Sequence, residues 1–142
     1  MSMSNSLETG LLGLLFNATT FANIAVNATS GPLTNLYVSL HTADPGEGGD
    51  QTTSEAAYSG YARQPLVRTS SGWTVSGGTV NPASTISFPA AVSGGETETF
   101  MGIGSLVSGA GVLYLSGAIS PTIGVSAGVT PQLTTATAIT FD

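Results

Sequence analysis

From residue 35 to its end the chain is a succession of short apolar runs, each cut off by a glycine or serine cluster such as SGG, GG, SGAG or SAG. That punctuation, more than any motif, limits what the chain can fold into. A packed helix asks for about ten or more residues at helical spacing, whereas runs of about four to eight with turn residues between them read as strands. The first run, NLYVSLH at 35–41, sets Leu36, Val38 and Leu40 in alternation with Tyr37, Ser39 and His41. This is the period of a strand with two unlike faces, the three aliphatic side chains turned inward. It stops at DPGEGGD (44–50), an acidic loop opened by a strong turn former in which the Asp44 carboxylate caps backbone amides. Further strands are expected at 61–69, 72–76, 84–88, 97–103, 112–119, 124–126 and 135–141. Pro65 has no N–H to give to a ladder, which places its strand at an edge or a bulge. About eight short strands at near-regular spacing make the fold class mainly β: an antiparallel β-sandwich or jelly roll.

The first 34 residues are different. Asn5, followed three positions later by Glu8, fits a capping box. Leu7, Leu11, Leu14 and Leu15 then form one apolar stripe on a short N-terminal helix. Gly10 and Gly13 each weaken that helix by up to about 1 kcal/mol relative to alanine, so it needs a packing partner. The expected organisation is one domain overall, with residues 1–34 as N-terminal helix and extended linker and 35–142 as the β-sandwich. The NAT triplets at 17–19 and 27–29 match a glycosylation pattern that matters only in a secreted eukaryotic chain, and turn chemistry is the expectation for them. The run LLGLLF at 11–16 is far short of the roughly 20 residues a membrane span needs. No basic residue precedes it and Glu8 sits just before it, which argues against a secretory signal. A protein made in the cytoplasm and not entering a membrane is expected.

Charge excludes further classes. Eight carboxylates face two arginines, Arg63 and Arg68, with no lysine, and the net charge is −6. Neutralising a run of phosphates takes one cation per contact, so neither nucleic acid nor anionic lipid is an expected partner. With no cysteine, disulfides, thiolate metal sites and cysteine nucleophiles are excluded.

His41 is the chain's single histidine and the natural candidate for a general base. On a strand it shares a face with Ser39, so a Ser–His contact is geometrically allowed, but Asp44 lies beyond a turn that has its own use for the carboxylate. GVSAG at 124–128 matches G-x-S-x-G around Ser126, yet that motif works on a strand-to-helix turn and VTPQL follows instead. GIGSLVSGAG at 102–111 lacks the spacing and the following helix that a phosphate loop needs, and reads as a hairpin connection. Asp44, Glu47 and Asp50 give one loop three carboxylates, short of the six or so oxygens a calcium ion takes. Glu96 and Glu98, two apart, share a strand face, and neighbouring carboxylates alone do not make a glycosidase. No catalytic, cofactor-binding or metal-ligating residue is assigned, no cofactor is expected, and the chain is not expected to be an enzyme. A hydrolase built on His41 and Ser126 is the weakest of the readings weighed.

The stretch YSGYARQPLVRTSSGW (58–73) concentrates the aromatic and cationic side chains: Tyr58, Tyr61, Arg63, Arg68 and Trp73. Tyr, Trp and Arg are the residue types that dominate binding hot spots, so these five, with His41, form the candidate interface. Core packing and ion pairing with the chain's own carboxylates account for them equally well.

Four motifs occur in order: SNSLE at 4–8, YVSLHTADP at 37–45, YAR at 61–63 and, more loosely, GVLYLSG at 111–117. In that succession the chain resembles a family of small virion proteins of tailed bacteriophages, labelled tail-fibre or head-decoration proteins. It looks most like the jelly-roll capsid cement proteins of short-tailed phages. The resemblance implies a bacteriophage structural protein that binds the outer capsid surface and stabilises it. It also implies the major capsid protein as partner, self-association most simply as a homodimer, and a place on the virion. The alternative is a tail fibre or other tail-associated, host-binding virion protein.

Overall fold

The computed structural model describes residues 2–7, 10–11, 21–22, 24, 33–76 and 79–140. Among them, ten strands run in chain order: β1 (Ser2–Met3), β2 (Asn35–His41), β3 (Gln64–Val67), β4 (Trp73–Ser76), β5 (Thr79–Pro82), β6 (Ile86–Ser87), β7 (Glu96–Gly104), β8 (Leu113–Val125), β9 (Gln132–Leu133) and β10 (Ile139–Thr140). They form a five-stranded sheet in the order β1-β8-β7-β2-β3, a three-stranded sheet β10-β5-β4 and a pair β6-β9, every pairing antiparallel. This is the mainly β, sandwich-type fold that the run pattern demands. Val38, Leu40, Met101 and Ile103 of the large sheet cluster with Trp73 and Ile139 from the three-stranded sheet and with Ile86 and Leu133 from the pair. Each fully buried aliphatic side chain of this kind stabilises the fold by about 1.5–3 kcal/mol. Tyr61 stacks on Phe88 at 6.2 Å between ring centres and meets Tyr58 edge-on at 5.4 Å.

β3 takes the place expected of it, and several other strands depart from expectation. β3 lies at the sheet edge, with Pro65 opposite Tyr37, as a residue lacking an N–H must. The runs expected at 112–119 and 124–126 are one strand, β8, which passes through Pro121. The register explains how: Glu98 pairs with Ile123 and Phe100 with Ala118, so four residues around Pro121 stand opposite Thr99 in an irregularity where no ladder N–H is required. β5 and β9 carry little sequence signal. TVNP lies outside every strand expected from the runs, yet it pairs on both sides, and Asn81 donates to the carbonyls of Thr135 and Thr137. Of the strand expected at 135–141, only 139–140 pairs, and Phe141 lies outside the described residues.

Residues 2–3 join the large sheet beside β8, and residues 5–7 and 10–11 are helical. The cap is Ser4 rather than Asn5. Its hydroxyl accepts the Leu7 amide at 3.3 Å and donates to the Tyr114 carbonyl at 2.9 Å, tying the helix start to β8. Glu8, Leu14, Leu15 and the NAT triplets lie outside the described residues. Phe21 is buried edge-on against Tyr114 at 6.3 Å, and its ring fills the space above Gly10, where a Cβ would come within 2.7 Å.

Candidate functional site

β2 turns Val38 and Leu40 inward as expected, and its other face is closed as well at Ser39 and His41. Ser39 and His41 are as completely buried as Val38 and Leu40. The chain from 42 to 55 folds back over the second face of the large sheet and closes it. Ser54 turns that segment with a left-handed φ of 54°, Thr42 donates its amide to the Ser54 carbonyl at 2.8 Å, and Gln51 packs down onto Gly104. His41 Nδ1 lies 2.9 Å from the Thr53 carbonyl and Nε2 lies 2.8 Å from Ser39 Oγ. A carbonyl only accepts, so Nδ1 carries the proton and Nε2 accepts from the Ser39 hydroxyl. Burial holds the imidazole below its ordinary pKa, against the pull of the Thr53 carbonyl and the Glu55 charge. The arrangement has the Ser–His contact that a general base needs, but with the hydroxyl closed off from solvent it acts as a packing pair. Gly102 on β7 is required by it, since a Cβ there would lie 2.6 Å from both Nε2 and the Ser39 oxygen.

Beside this pair the structure assembles a larger network from residues that the sequence scatters. Arg63 is nearly fully buried and grips Glu55 with two parallel bonds, Nε to Oε1 at 2.6 Å and Nη2 to Oε2 at 2.7 Å. Tyr61 donates its hydroxyl to Glu55 Oε1 at 3.1 Å and accepts the Leu40 amide at 3.1 Å; burial pushes its phenol up. The third Arg63 donor, Nη1, reaches the Leu106 carbonyl at 2.9 Å. Buried Gln51 holds the same residue at both ends, donating to its carbonyl at 3.2 Å and accepting its amide at 2.9 Å. The Ser105 hydroxyl accepts the Val112 amide at 2.8 Å. The loop between β7 and β8 is thus held from beneath by Gln51, Arg63 and Ser105, and it presents exposed Leu106, Val107 and Val112 outward. The sequence identified this loop as a hairpin connection; nothing local showed that distant polar side chains would fix its backbone.

The candidate interface residues therefore fall in different places. His41, Tyr61 and Arg63 are drawn into the network, and Tyr58 and Trp73 are buried in the apolar core. On the folded chain His41, Tyr58, Arg63 and Trp73 are buried and Tyr61 is half-buried, so these five side chains offer little outer surface. Arg68 is half-buried at the end of β3, where Nη1 and Nη2 reach the carbonyls of Leu33 and Ile24 at 2.9 and 3.3 Å. With Trp73, Leu7, Leu36 and Tyr114 it lines an apolar cleft of about 610 Å³. Ser126 is exposed in the turn after β8, with no helix following. Asp44 accepts the Gly46 amide at 2.9 Å, the capping role expected of it, and Asp50 is occupied by Thr52 and Thr53. Among the described residues no three His, Asp or Glu side chains converge as a metal cluster would.

One polar site was underestimated. Glu96 accepts the amides of Ala57 and Tyr58 through Oε1, at 2.8 and 2.7 Å, and beside it Glu98 is buried with no donor at either oxygen. Their i, i+2 spacing on a strand showed the shared face; the depth of burial depends on packing from residues 56–58 that no local pattern reveals.

With this geometry in place, the comparison with family models is decisive. Residues 2–141 match the Gp80 family, described as "Podophage GP4 fiber I protein gp80". The chain belongs to the Gp80 family. It is accordingly a member of a phage virion structural protein family, in line with the resemblance carried by its ordered motifs. Comparison with curated proteins gives no match.

Proposed function

We propose that this Gp80 member is a non-catalytic building block of the podophage virion, part of a fibre-like appendage, that works by holding a rigid surface against neighbouring subunits. The observation that carries the reading is the family match over 2–141, with a description that names a fibre protein. The geometry is compatible with it. His41, Tyr58, Tyr61 and Arg63 are committed to the interior, while the 105–112 loop is pinned from below and offers Leu106, Val107 and Val112 to a partner. An apolar contact on a pre-ordered backbone loses little conformational entropy on binding. Copies of this chain, most simply two, associate in the same assembly, where repetition makes modest individual contacts sufficient.

A second reading, a cement protein on the outer capsid surface bound to the major capsid protein, is favoured by the motif order at 4–8, 37–45, 61–63 and 111–117. Virion reconstruction with a tagged copy separates the two. Density following the tail's symmetry, at its low copy number, supports the appendage; density repeating over the shell lattice supports cement; absence from virions refutes both. Val107→Asp is expected to leave the fold intact, the side chain being 58% exposed, and to reduce incorporation into particles at least tenfold. Undiminished incorporation would remove the loop from the contact.

A further inference from the structure

The carboxyl groups of Glu96 and Glu98 have no place in the reading above, and their surroundings define what they do. Glu96 sits at the start of β7, half-buried, and its Oε1 accepts the amides of Ala57 and Tyr58. It thereby fastens the segment 56–58, with buried Ala56 and Tyr58, to the large sheet. Glu98 is 0% exposed, and neither of its oxygens receives a hydrogen bond from any donor. Its cross-strand neighbour on β8 is Ile123, and that of Glu96 is Val125, both without charge. Among the described residues the titratable groups facing Glu98 are Glu96 from its own strand and Tyr58 from the segment packed across it; no cation acts on it. A naked carboxylate so placed, beside a second carboxylate, would lose its hydration and face a like charge with nothing in return. A carboxylic acid in the same place meets both needs, since its O–H is a donor and the Glu96 carboxylate is the adjacent acceptor.

We propose that Glu98 is protonated in the folded protein and donates that proton in a carboxyl–carboxylate hydrogen bond to Glu96, forming a clasp that holds residues 57–58 against β7. Two amide donors already serve Glu96 and none serves Glu98, so Glu98 is the member that keeps the proton. Burial, and then the Glu96 charge, push Glu98 up to about 8; the same burial and the two carboxyl groups raise the Tyr58 phenol to about 12. Opening the clasp is a simple loss of H⁺ from Glu98 to solvent, leaving two anions side by side beneath Tyr58.

The sign of the linkage follows. Glu98 releases its proton near 4.5 in the unfolded chain and near 8 in the folded one, so between those values the folded state holds more protons. Its stabilising effect is complete below 4.5 and is lost as pH rises to about 8. The clasp holds whatever the chain binds in the virion, and it is tested on the isolated full-length protein. Amide resonances of Ala57 and Tyr58 are expected to titrate with a midpoint near 8. Infrared difference spectra on glutamate-labelled protein are expected to show a protonated carboxyl at pH 7 that is gone at pH 9.5. Glu98→Gln, which keeps an N–H donor toward Glu96 but cannot ionise, is expected to abolish the amide titration. It is also expected to flatten the decline of the unfolding midpoint between pH 5 and 8. Absence of the protonated-carboxyl band at pH 7 overturns the proposal even if the variant does not fold, and so does a Glu98→Gln profile parallel to that of the parent.

Discussion

Two regions of this sandwich bury charge, and they neutralise it in opposite ways. Under the 42–55 segment, Glu55 meets Arg63 in a two-bond pair, with Tyr61 and the Leu106 carbonyl completing the donors and acceptors. At the start of β7, Glu98 meets, among the described residues, a second acid and the Tyr58 phenol but no cation, and a proton takes the cation's place. The contrast teaches that a low-dielectric interior constrains the net charge of a cluster rather than its composition: a cation or a proton serves, and the fold determines which is at hand. Glu55 is held by a cation, whereas Glu98 depends on a proton.

The strongest way to break the comparison is Arg63→Ala. It leaves Glu55 buried without its cation, and a loss of about 3 kcal/mol in denaturant unfolding is expected, toward the lower end for a broken buried pair because the Glu55 side chain keeps 16% exposure. Adding Glu55→Gln should recover part of that loss; a cost under about 0.5 kcal/mol for Arg63→Ala alone would show that the pair is not what holds this region. Gly102→Ala should come next. Its Cβ presses on His41 and Ser39 at once, and overpacking of this kind costs about 1–3 kcal/mol, read as a lower thermal midpoint. The smallest effect is the acid limb of stability. His41 titrates below its ordinary 6.5 when folded, so the unfolded chain takes up the proton first; its contribution is present above 6.5 and is lost as pH falls through the folded value. Glu98 acts in the other direction, its contribution being lost as pH rises from 4.5 to about 8, so above 6.5, where the His41 contribution is complete, stability is expected to fall toward about 8. Stability that stays level or rises between pH 6.5 and 8 would contradict the Glu98 assignment, and a Glu98→Gln variant whose stability does not fall on acidification below 6.5 would contradict that of His41.

Much of the sandwich was legible because its signals are local. The strand at 35–41, the turn chemistry at Asp44 and Pro45, and the missing N–H of Pro65 are each set within a few residues, and the fold keeps all three. Where signals were weak, partners made the structure. The pair Ile86 with Leu133 and the strand 79–82 exist because other strands lie beside them, and β8 absorbs Pro121 because β7 leaves it unpaired there. The candidate site was legible in its parts and not in its sense. Tyr61, Arg63 and His41 were singled out for their chemistry, but Glu55, Gln51 and Ser105, which convert them into a platform under Leu106, carry no pattern that separates them from ordinary polar loop residues.

By itself, then, the sequence determined a strand-and-turn chain with few charges, little basic character and a full-length family likeness. The tertiary structure alone decided that the second face of β2 is interior, that the aromatic and cationic cluster turns inward, and that Glu98 sits where only its neutral form is comfortable. The physical reason is that periodicity and turns are settled between near neighbours, whereas burial of a polar group depends on which distant segment closes over it and what donors that segment brings.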